Sequence, residues 1–318
     1  MTDQADPHTL AEGVRAGRRR AIARAISWVE GQHPQADALL SMLYPYTGQA
    51  HIVGITGAPG TGKSTLTNQI ARCYRRRQTR VGVIAVDPSS PFTGGALLGD
   101  RIRMSALSGD PGVFVRSMAT RGALGGLARA TYDATLVLDA AGYLVILVET
   151  VGAGQDQVEI ARTAHTTVVV EAPGMGDDIQ AIKSGLMEIA DLFCVNKADR
   201  PGVEATVRAL ELALQQRPGR YHSEQAWHIP VHRTMALDGT GVPELVAQID
   251  AHRDHLQGER WTQKELARAQ AGLESRLVQA LLERFLAELG PDEWRAWVSR
   301  VASRQTTPHE ALKGLLPD

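Results

Sequence analysis

From His51 onward the chain repeats one pattern: a short run of Val, Ile and Leu, then a segment of helical length. The runs are Ile52–Ile55, Val81–Val86, Val113–Arg116, Tyr143–Val148, Thr167–Val170, Leu192–Val195 and His228–His232. Most are continuously apolar rather than alternating. A strand buried on both faces has no polar face to show, so this pattern predicts an α/β fold: a mostly parallel sheet covered by helices. Before it, Leu10, Val14, Ile22, Ala25, Ile26 and Val29 recur at helical spacing. The stretch from Thr9 to Leu43 therefore reads as helical, with a second helix over Gln35–Leu43, until Pro45 and Gly48 break the pattern. After Pro243 the chain is helical to its end. Leu273, Leu277, Leu281 and Phe285 form a stripe there, with Val278, Leu282 and Leu286 beside it. Such a stripe suits packing on its own domain and contact with a second copy equally well. The expected division is a helical extension (1–48), an α/β domain (49–256) and a helical region (257–318).

The sharpest chemical signal is Gly57-Ala58-Pro59-Gly60-Thr61-Gly62-Lys63-Ser64. It fits G-x-x-x-x-G-K-[ST] at every fixed position. It also lies between an apolar strand and the helical segment Thr65–Cys73, the context in which the motif has meaning. Glycines permit a tight loop whose N–H groups point inward at phosphate oxygens, and the following helix presents its positive end. Lys63 should reach the β- and γ-phosphates and Ser64 should offer a hydroxyl to Mg2+, with Thr65 behind it in the first turn.

Asn196-Lys197-Ala198-Asp199 follows the run Leu192–Val195. An aspartate can accept two hydrogen bonds from guanine N1 and N2. Adenine has no such donor pair and would leave the carboxylate unsatisfied. The expected ligand is therefore GTP or GDP, with the Lys197 stem laid over the base and Asn196 bracing the loop. Met235, Ala236 and Leu237 follow a late strand, where a loop backbone can meet the guanine oxygen.

Acidic groups at strand ends complete the expected site. Glu149 closes Tyr143–Val148 and begins Glu149-Thr150-Val151-Gly152, the place of a magnesium-holding acid and a glycine N–H on the γ-phosphate. Asp87 ends Val81–Val86, and Asp100 closes the loop it opens; both are candidate metal groups. Pro173-Gly174-Met175-Gly176-Asp177-Asp178, with Lys183 beyond, follows Thr167–Val170 and faces the ligand crevice at a carboxyl end of the sheet. Lys63, Glu149, Gly152 and Lys183 make up the candidate hydrolytic set. Ala153 occupies the position of the familiar water-positioning glutamine and Gln155 is displaced from it, so slow hydrolysis accelerated by a partner is expected.

Composition narrows the partners. The 318 residues are 43% hydrophobic and 22% charged, with a net charge of -1. Nothing there points to nucleic acid or a membrane. Arg18–Arg20 and Arg75–Arg77 read as solvated helix faces, His252 and His255 as surface residues, and Cys73 and Cys194 as buried reduced thiols. No basic stretch followed by an apolar one opens the chain, and no apolar run approaches the roughly 20 residues of a membrane helix. A cytoplasmic protein is expected.

Together these segments resemble the methylmalonyl-CoA mutase-associated GTPases (MeaB/ArgK-like P-loop GTPases, SIMIBI class). The resemblance runs through Leu10–Val14, Arg19–Ile26, Ile55–Ser64, Val86–Gly95, Leu98–Arg101, Arg121–Gly126, Val148–Gly152 and Met187–Asp199. It implies a homodimeric GTPase chaperone of an adenosylcobalamin-dependent acyl-CoA mutase, gating cofactor loading and protecting or reactivating the mutase. Three segments would relay nucleotide state: Asp87–Asp100, Glu149–Gln157 and Pro173–Lys183. The C-terminal helices would dimerise. Family members usually read E-T-V-G-V-G-Q-S-E where this chain has Ala153 and Asp156-Gln157, which bears on the partner surface rather than on the phosphate contacts. No D-x-H-x-x-G cobalamin motif occurs, so the mutase is a separate chain. The competing classes are a P-loop kinase, against which Asp199 argues, and a metal-delivery GTPase, which would need a Cys/His cluster.

Overall fold

A computed structural model describes residues 6–87, 109–119, 126–150, 156–174, 185–216 and 226–316. The chain forms two compact units, residues 1–272 and 273–318.

The first unit is built on a seven-stranded parallel sheet. Its strands are β1 (His51–Thr56), β2 (Val81–Asp87), β3 (Val113–Ala119), β4 (Val145–Thr150), β5 (Thr166–Glu171), β6 (Leu192–Asn196) and β7 (Val231–Thr234), in the order β3-β2-β4-β1-β5-β6-β7. Every residue of β1, β4, β5 and β6 is buried, which is why these strands read as unbroken apolar runs. Each expected run overlaps a strand, with shifted ends. β4 starts two residues late and continues through Glu149 and Thr150. β7 starts only after Pro230, which has no N–H for the ladder.

Two helical layers cover the sheet. On one face α4 (Lys63–Arg76) and α9 (Val242–His255) bury Leu66, Ile70, Leu245 and Ile249 against Val53, Ile55, Leu147 and Val170. The other face is covered over β2, β4 and β1 by α5 (Gly126–Ala140), and over β5 and β6 by α7 (Leu186–Ile189) and α8 (Val203–Gln215). Between them, α6 (Asp156–Thr163) packs against Gly54 of β1, where an added Cβ would lie 2.6 Å from Ile160.

Three N-terminal helices lie outside α5: α1 (Pro7–Arg15), α2 (Arg19–Glu30) and α3 (Ala36–Leu43). The expected first helix is divided at Gly17, whose φ of +69° reverses the chain. Arg19 and Arg75 are not simply solvated. Arg19 donates to the Val113 carbonyl at 2.6 Å, and Arg75 forks onto Asp110 at 2.9 and 3.0 Å.

At the amino ends of the strands the polar groups serve as anchors. Asp139 at the end of α5 accepts the N–H groups of Gly48, Gln49 and Ala50 at 2.6, 3.3 and 3.1 Å, fixing the entry to β1. His51 and His252 share the Thr166 hydroxyl, each at 2.8 Å. His252 is thus buried rather than on the surface, in contrast to the expectation from sequence. His165 accepts the Ile52 N–H at 2.9 Å, so its neutral ring carries the proton on Nε2 and donates to Glu265 of α10 (Glu259–Leu289). Arg268 completes this knot with a 2.7 Å bond to the Thr163 carbonyl, and Trp261 stacks on the His165 ring.

The second unit comprises the later part of α10, α11 (Pro291–Ala302) and α12 (Pro308–Leu315). A capping box joins Thr307 and Glu310 at the start of α12. Leu273, Leu277, Val278, Leu281 and Leu282 remain 50–68% exposed. An apolar groove of about 900 Å³ is lined by Leu281, Phe285, Trp294, Trp297, Val298 and Leu312 among others. Among the described residues no helix is long and apolar enough to cross a membrane.

Burial holds the His165 imidazole at about 4, well below its ordinary value, with Glu265 only partly opposing. Burial raises Glu265, but the bonds from His165 and the Arg268 charge outweigh it and hold the carboxyl at about 2. Both folded-state values lie below those of the unfolded chain, so both contributions are complete at neutral pH and lost in acid. The melting temperature is expected to fall as pH drops from about 6.5 towards 4. His165→Asn, whose amide oxygen can still accept the Ile52 N–H, should flatten that slope in thermal melts across the range.

Candidate functional site

The carboxyl end of β1 runs into a loop, residues 57–62, that closes on the first turn of α4. Gly57, Gly60 and Gly62 have φ of +139°, +81° and +95°, a region that side chains other than glycine rarely enter. Space is equally restrictive. A Cβ on Gly57 would lie 2.0 Å from the Val170 carbonyl oxygen, and one on Gly62 2.4 Å from Asn196 Nδ2. The buried Thr61 hydroxyl donates to the Ala58 carbonyl at 3.0 Å, tightening the turn.

Lys63 curls back over this loop. Its ammonium donates to the carbonyls of Gly57 (2.8 Å) and Ala58 (2.9 Å). Burial lowers its pKa, and the carboxylates of Glu149 and Glu171 oppose that shift. Next to it the Ser64 hydroxyl donates to Glu149 Oε1 at 2.5 Å. β4 lies beside β1 with Glu149 opposite Ile55, which carries this acid to the edge of the loop. A buried bond between Thr150 and Thr56, 3.1 Å, pins the two strand ends together. Thr65 follows in the first turn of α4.

The segments expected to read the base converge from the other side. Asn196, buried at the end of β6, donates through Nδ2 to the Thr61 carbonyl at 2.8 Å. Its Oδ1 accepts the Ala236 N–H at 3.0 Å and the Thr234 hydroxyl at 3.2 Å. One side chain thereby joins the phosphate loop, β6 and the loop after β7. Lys197, at φ +58°, donates to the Gly60 carbonyl at 2.6 Å. Asp199 and Leu237 are exposed, and Met235 pairs with Thr240 across a tight turn.

The structure thus gathers Gly57–Thr65, Glu149, Asn196, Lys197, Asp199 and Met235–Leu237 at the carboxyl ends of adjacent strands, where ligands of open α/β sheets bind. The backbone of Asp87 ends β2, the neighbour of β4. Asp100, Gly152 and Lys183 lie outside the described residues, as do most of the three expected relay segments. Two side chains at this end carry no sequence signal. Gln69 of α4 donates to the Ala236 carbonyl at 3.1 Å, tying the phosphate-loop helix to the loop after β7. Glu171 is a buried acid at the end of β5, legible only as a charge closing an apolar run.

The serine hydroxyl and carboxylate set beside the loop are the hard oxygen donors that Mg2+ prefers, so the residues present fit that ion. Cys73 and Cys194 are both free and buried, and burial pushes the Cys194 thiol up to about 12. Among the described residues no three or more His, Cys, Asp or Glu side chains are grouped to hold a metal.

Comparison with known proteins adds the family. The profile described as "Methylmalonyl Co-A mutase-associated GTPase MeaB" matches residues 22–289. The chain belongs to this family. It is a P-loop GTPase by fold and by family. A Pyrococcus abyssi protein carrying a provisional GTPase name is 47% identical over 310 residues, covering 97% of this chain and 95% of that one. The GTPase ArgK of Escherichia coli is 40% identical over 247 residues, 74% of each chain. A crystal structure described as an LAO/AO transport system kinase superposes with a TM-score of 0.74 at 27% identity, covering 99% of this chain and 98% of that one.

The geometry of this MeaB-family loop sets a strict test. Gly62→Ala places a Cβ against Asn196 Nδ2 and strains the backbone by about 1–3 kcal/mol. GTP affinity in a nucleotide titration should drop by roughly five- to 140-fold, since 1.4 kcal/mol is a factor of ten. The thermal melt should show a folded protein.

Proposed function

We propose that this chain binds GTP with Mg2+, hydrolyses it slowly, and uses the change of nucleotide state to act as a chaperone of an adenosylcobalamin-dependent acyl-CoA mutase. The observation that carries the nucleotide part is the Asn196 clamp. It joins the phosphate loop and both base-reading segments through one buried side chain. Such a preorganised site loses little free energy to ordering when it binds.

Within this reading the loop N–H groups and Lys63 hold the β- and γ-phosphates, and Asp199 accepts from guanine N1 and N2. Lys197 covers the base, and the backbone of Met235–Leu237 meets the guanine oxygen. Ser64 and Glu149, with Asp87 and Asp100 as further acidic groups, would hold Mg2+; when bound, the ion neutralises charge on the phosphate oxygens. On nucleotide binding, Lys63 exchanges its two carbonyl acceptors for phosphate oxygens, and the loop keeps its shape because that shape comes from its glycines. Gly152 and Lys183 complete the proposed hydrolytic set and would sense the γ-phosphate.

The client is proposed from the family's own description as mutase-associated. It is methylmalonyl-CoA mutase or a relative acting on a branched or hydroxylated acyl-CoA. A homodimer through residues 257–318 is proposed from the exposed leucine stripe and the apolar groove of the second unit. A cytoplasmic location, without nucleic-acid or membrane partners, goes with this reading.

Two measurements test it. Asp199→Ala should weaken GTP binding by about 1–3 kcal/mol, the cost of guanine donors left unpaired; equal affinity of the unaltered protein for ATP and GTP would refute the base assignment. Steady-state GTP hydrolysis should be slow alone and rise on adding the cognate mutase. Coupling is reciprocal for binding, so the mutase must shift nucleotide affinity by the factor by which nucleotide shifts mutase affinity. If no cobalamin-dependent mutase alters hydrolysis or nucleotide affinity, the chaperone role fails while the GTPase remains.

A further inference from the structure

Two side chains from different elements hold the loop after β7, and each holds a different peptide group. A peptide group is a rigid plane. With no cis bond among the described residues, the carbonyl and the N–H of one plane point in opposite directions. The plane between Met235 and Ala236 is fixed at both ends. Its N–H donates to Asn196 Oδ1 at 3.0 Å, and its carbonyl accepts the Gly239 N–H at 2.9 Å. The next plane, between Ala236 and Leu237, is fixed at one end only. Its carbonyl accepts from Gln69 Nε2 of α4 at 3.1 Å. Its N–H, that of Leu237, meets no acceptor among the described residues. The Gln69 amide is itself seated against Gly239, where an added Cβ would lie 3.6 Å away. Ala236 is buried and Leu237 is 89% exposed, so the chain passes from core to surface at this second plane.

With its carbonyl drawn towards α4, this plane turns the Leu237 N–H the other way, away from the helix. A backbone N–H is a strong donor, and one without a protein acceptor bonds to water or to a ligand. Guanine offers an acceptor oxygen at position 6; adenine carries an amino group there and would set donor against donor. We propose that Gln69 is a positioning residue for base selection: by holding the Ala236 carbonyl it keeps the Leu237 N–H aimed at the oxygen at position 6 of guanine. The inference rests on the guanine reading proposed above and names the side chain that sharpens it. Asp199 and Gln69 then divide the base between them. Asp199 reads the donors at N1 and N2, and Gln69 controls how position 6 is read. Without Gln69 the second plane can rotate about the single bonds on either side of it, while Asn196 and Gly239 keep the first plane in place.

The experiment measures, at neutral pH, the affinity of the full-length protein and of its Gln69→Ala and Gln69→Glu variants for GDP, 6-thio-GDP and IDP, with a thermal melt on each protein. 6-Thio-GDP keeps the N1 and N2 donors and replaces the oxygen at position 6 with a larger, weaker acceptor. IDP keeps that oxygen and lacks the N2 amine. The unaltered protein should prefer GDP to both. Gln69→Ala should shrink the preference for GDP over 6-thio-GDP by roughly two- to tenfold, the worth of one neutral hydrogen bond. It should leave the preference for GDP over IDP, which Asp199 sets, unchanged. Gln69→Glu has the same shape but a carboxylate that cannot donate to Ala236, so it should act alike, and it replaces the alanine variant if that one folds poorly. A residue that only supports the fold would lower all three affinities by one factor and leave both preferences where they were. That result in a folded variant overturns the proposal, as does an unaltered protein that binds GDP and 6-thio-GDP equally. An unaltered protein that binds ADP as tightly as GDP would instead remove the guanine reading on which the proposal stands.

Discussion

The structure depends on how closely the phosphate loop is packed against the strand on one side and a side-chain amide on the other. At Gly57 the limit is the carbonyl of Val170; at Gly62 it is Asn196. Neither position has room for a methyl group, and both require positive φ. With its backbone so held, the loop can present N–H groups inward without the support of a ligand. The surrounding fold makes this contact possible. β1 must lie next to β5 in register, and β6 must end at the height of Gly62, so that a loop and a side chain separated by 135 residues can meet.

That dependence explains which features were legible in the sequence. The parallel sheet was, because both faces of its strands are buried and leave continuous apolar runs between helices. The phosphate loop was, because the backbone conformations it needs permit few residues besides glycine and so leave a fixed motif. The bracing role of Asn196 follows from its place after a strand, although its partners Thr61, Thr234 and Ala236 emerge only from the folded arrangement. Gln69 and Glu171 were not legible. A glutamine on a helix and an acid at a strand end are ordinary in sequence; only the folded arrangement sets Gln69 against the Ala236 carbonyl and Glu171 at a carboxyl end of the sheet. His252 was misread for a related reason: its polar ring is buried by a partner from β5, Thr166, that lies 86 residues away. The division of the N-terminal helical stretch at Gly17 was also missed, since apolar spacing passes through a turn that begins and ends in phase.

The two ends of the sheet carry different kinds of polar chemistry. At the amino ends, buried polar side chains are matched to fixed protein partners: Asp139 to three N–H groups, His51 and His252 to one hydroxyl, Arg268 to a carbonyl. Such matching gives a rigid base whose groups gain nothing from a ligand. At the carboxyl ends the matching is provisional. Lys63 uses two loop carbonyls that also serve the turn, and Ser64 and Glu149 are bonded to each other. A phosphate oxygen can take the place of a carbonyl as acceptor for the Lys63 ammonium. A site whose groups are bonded to one another can still bind, provided its frame is held by other bonds; here the Asn196 clamp and the packed glycines supply that frame.

The same distinction bears on how nucleotide state could leave the site. A group that changes partners on binding can transmit the change only through an element that is not itself clamped. The phosphate loop, β6 and the base loop are tied to one another and so behave as a unit. Ser64 and Glu149 are bonded to each other instead, and Glu149 is the last residue but one of β4. A rearrangement that starts at this pair therefore has its shortest covalent route outward through β4, whose last residue, Thr150, is fixed to Thr56 of the phosphate-loop strand. Thr150 is also paired with Val86 of β2, so the end of β4 is held on both sides.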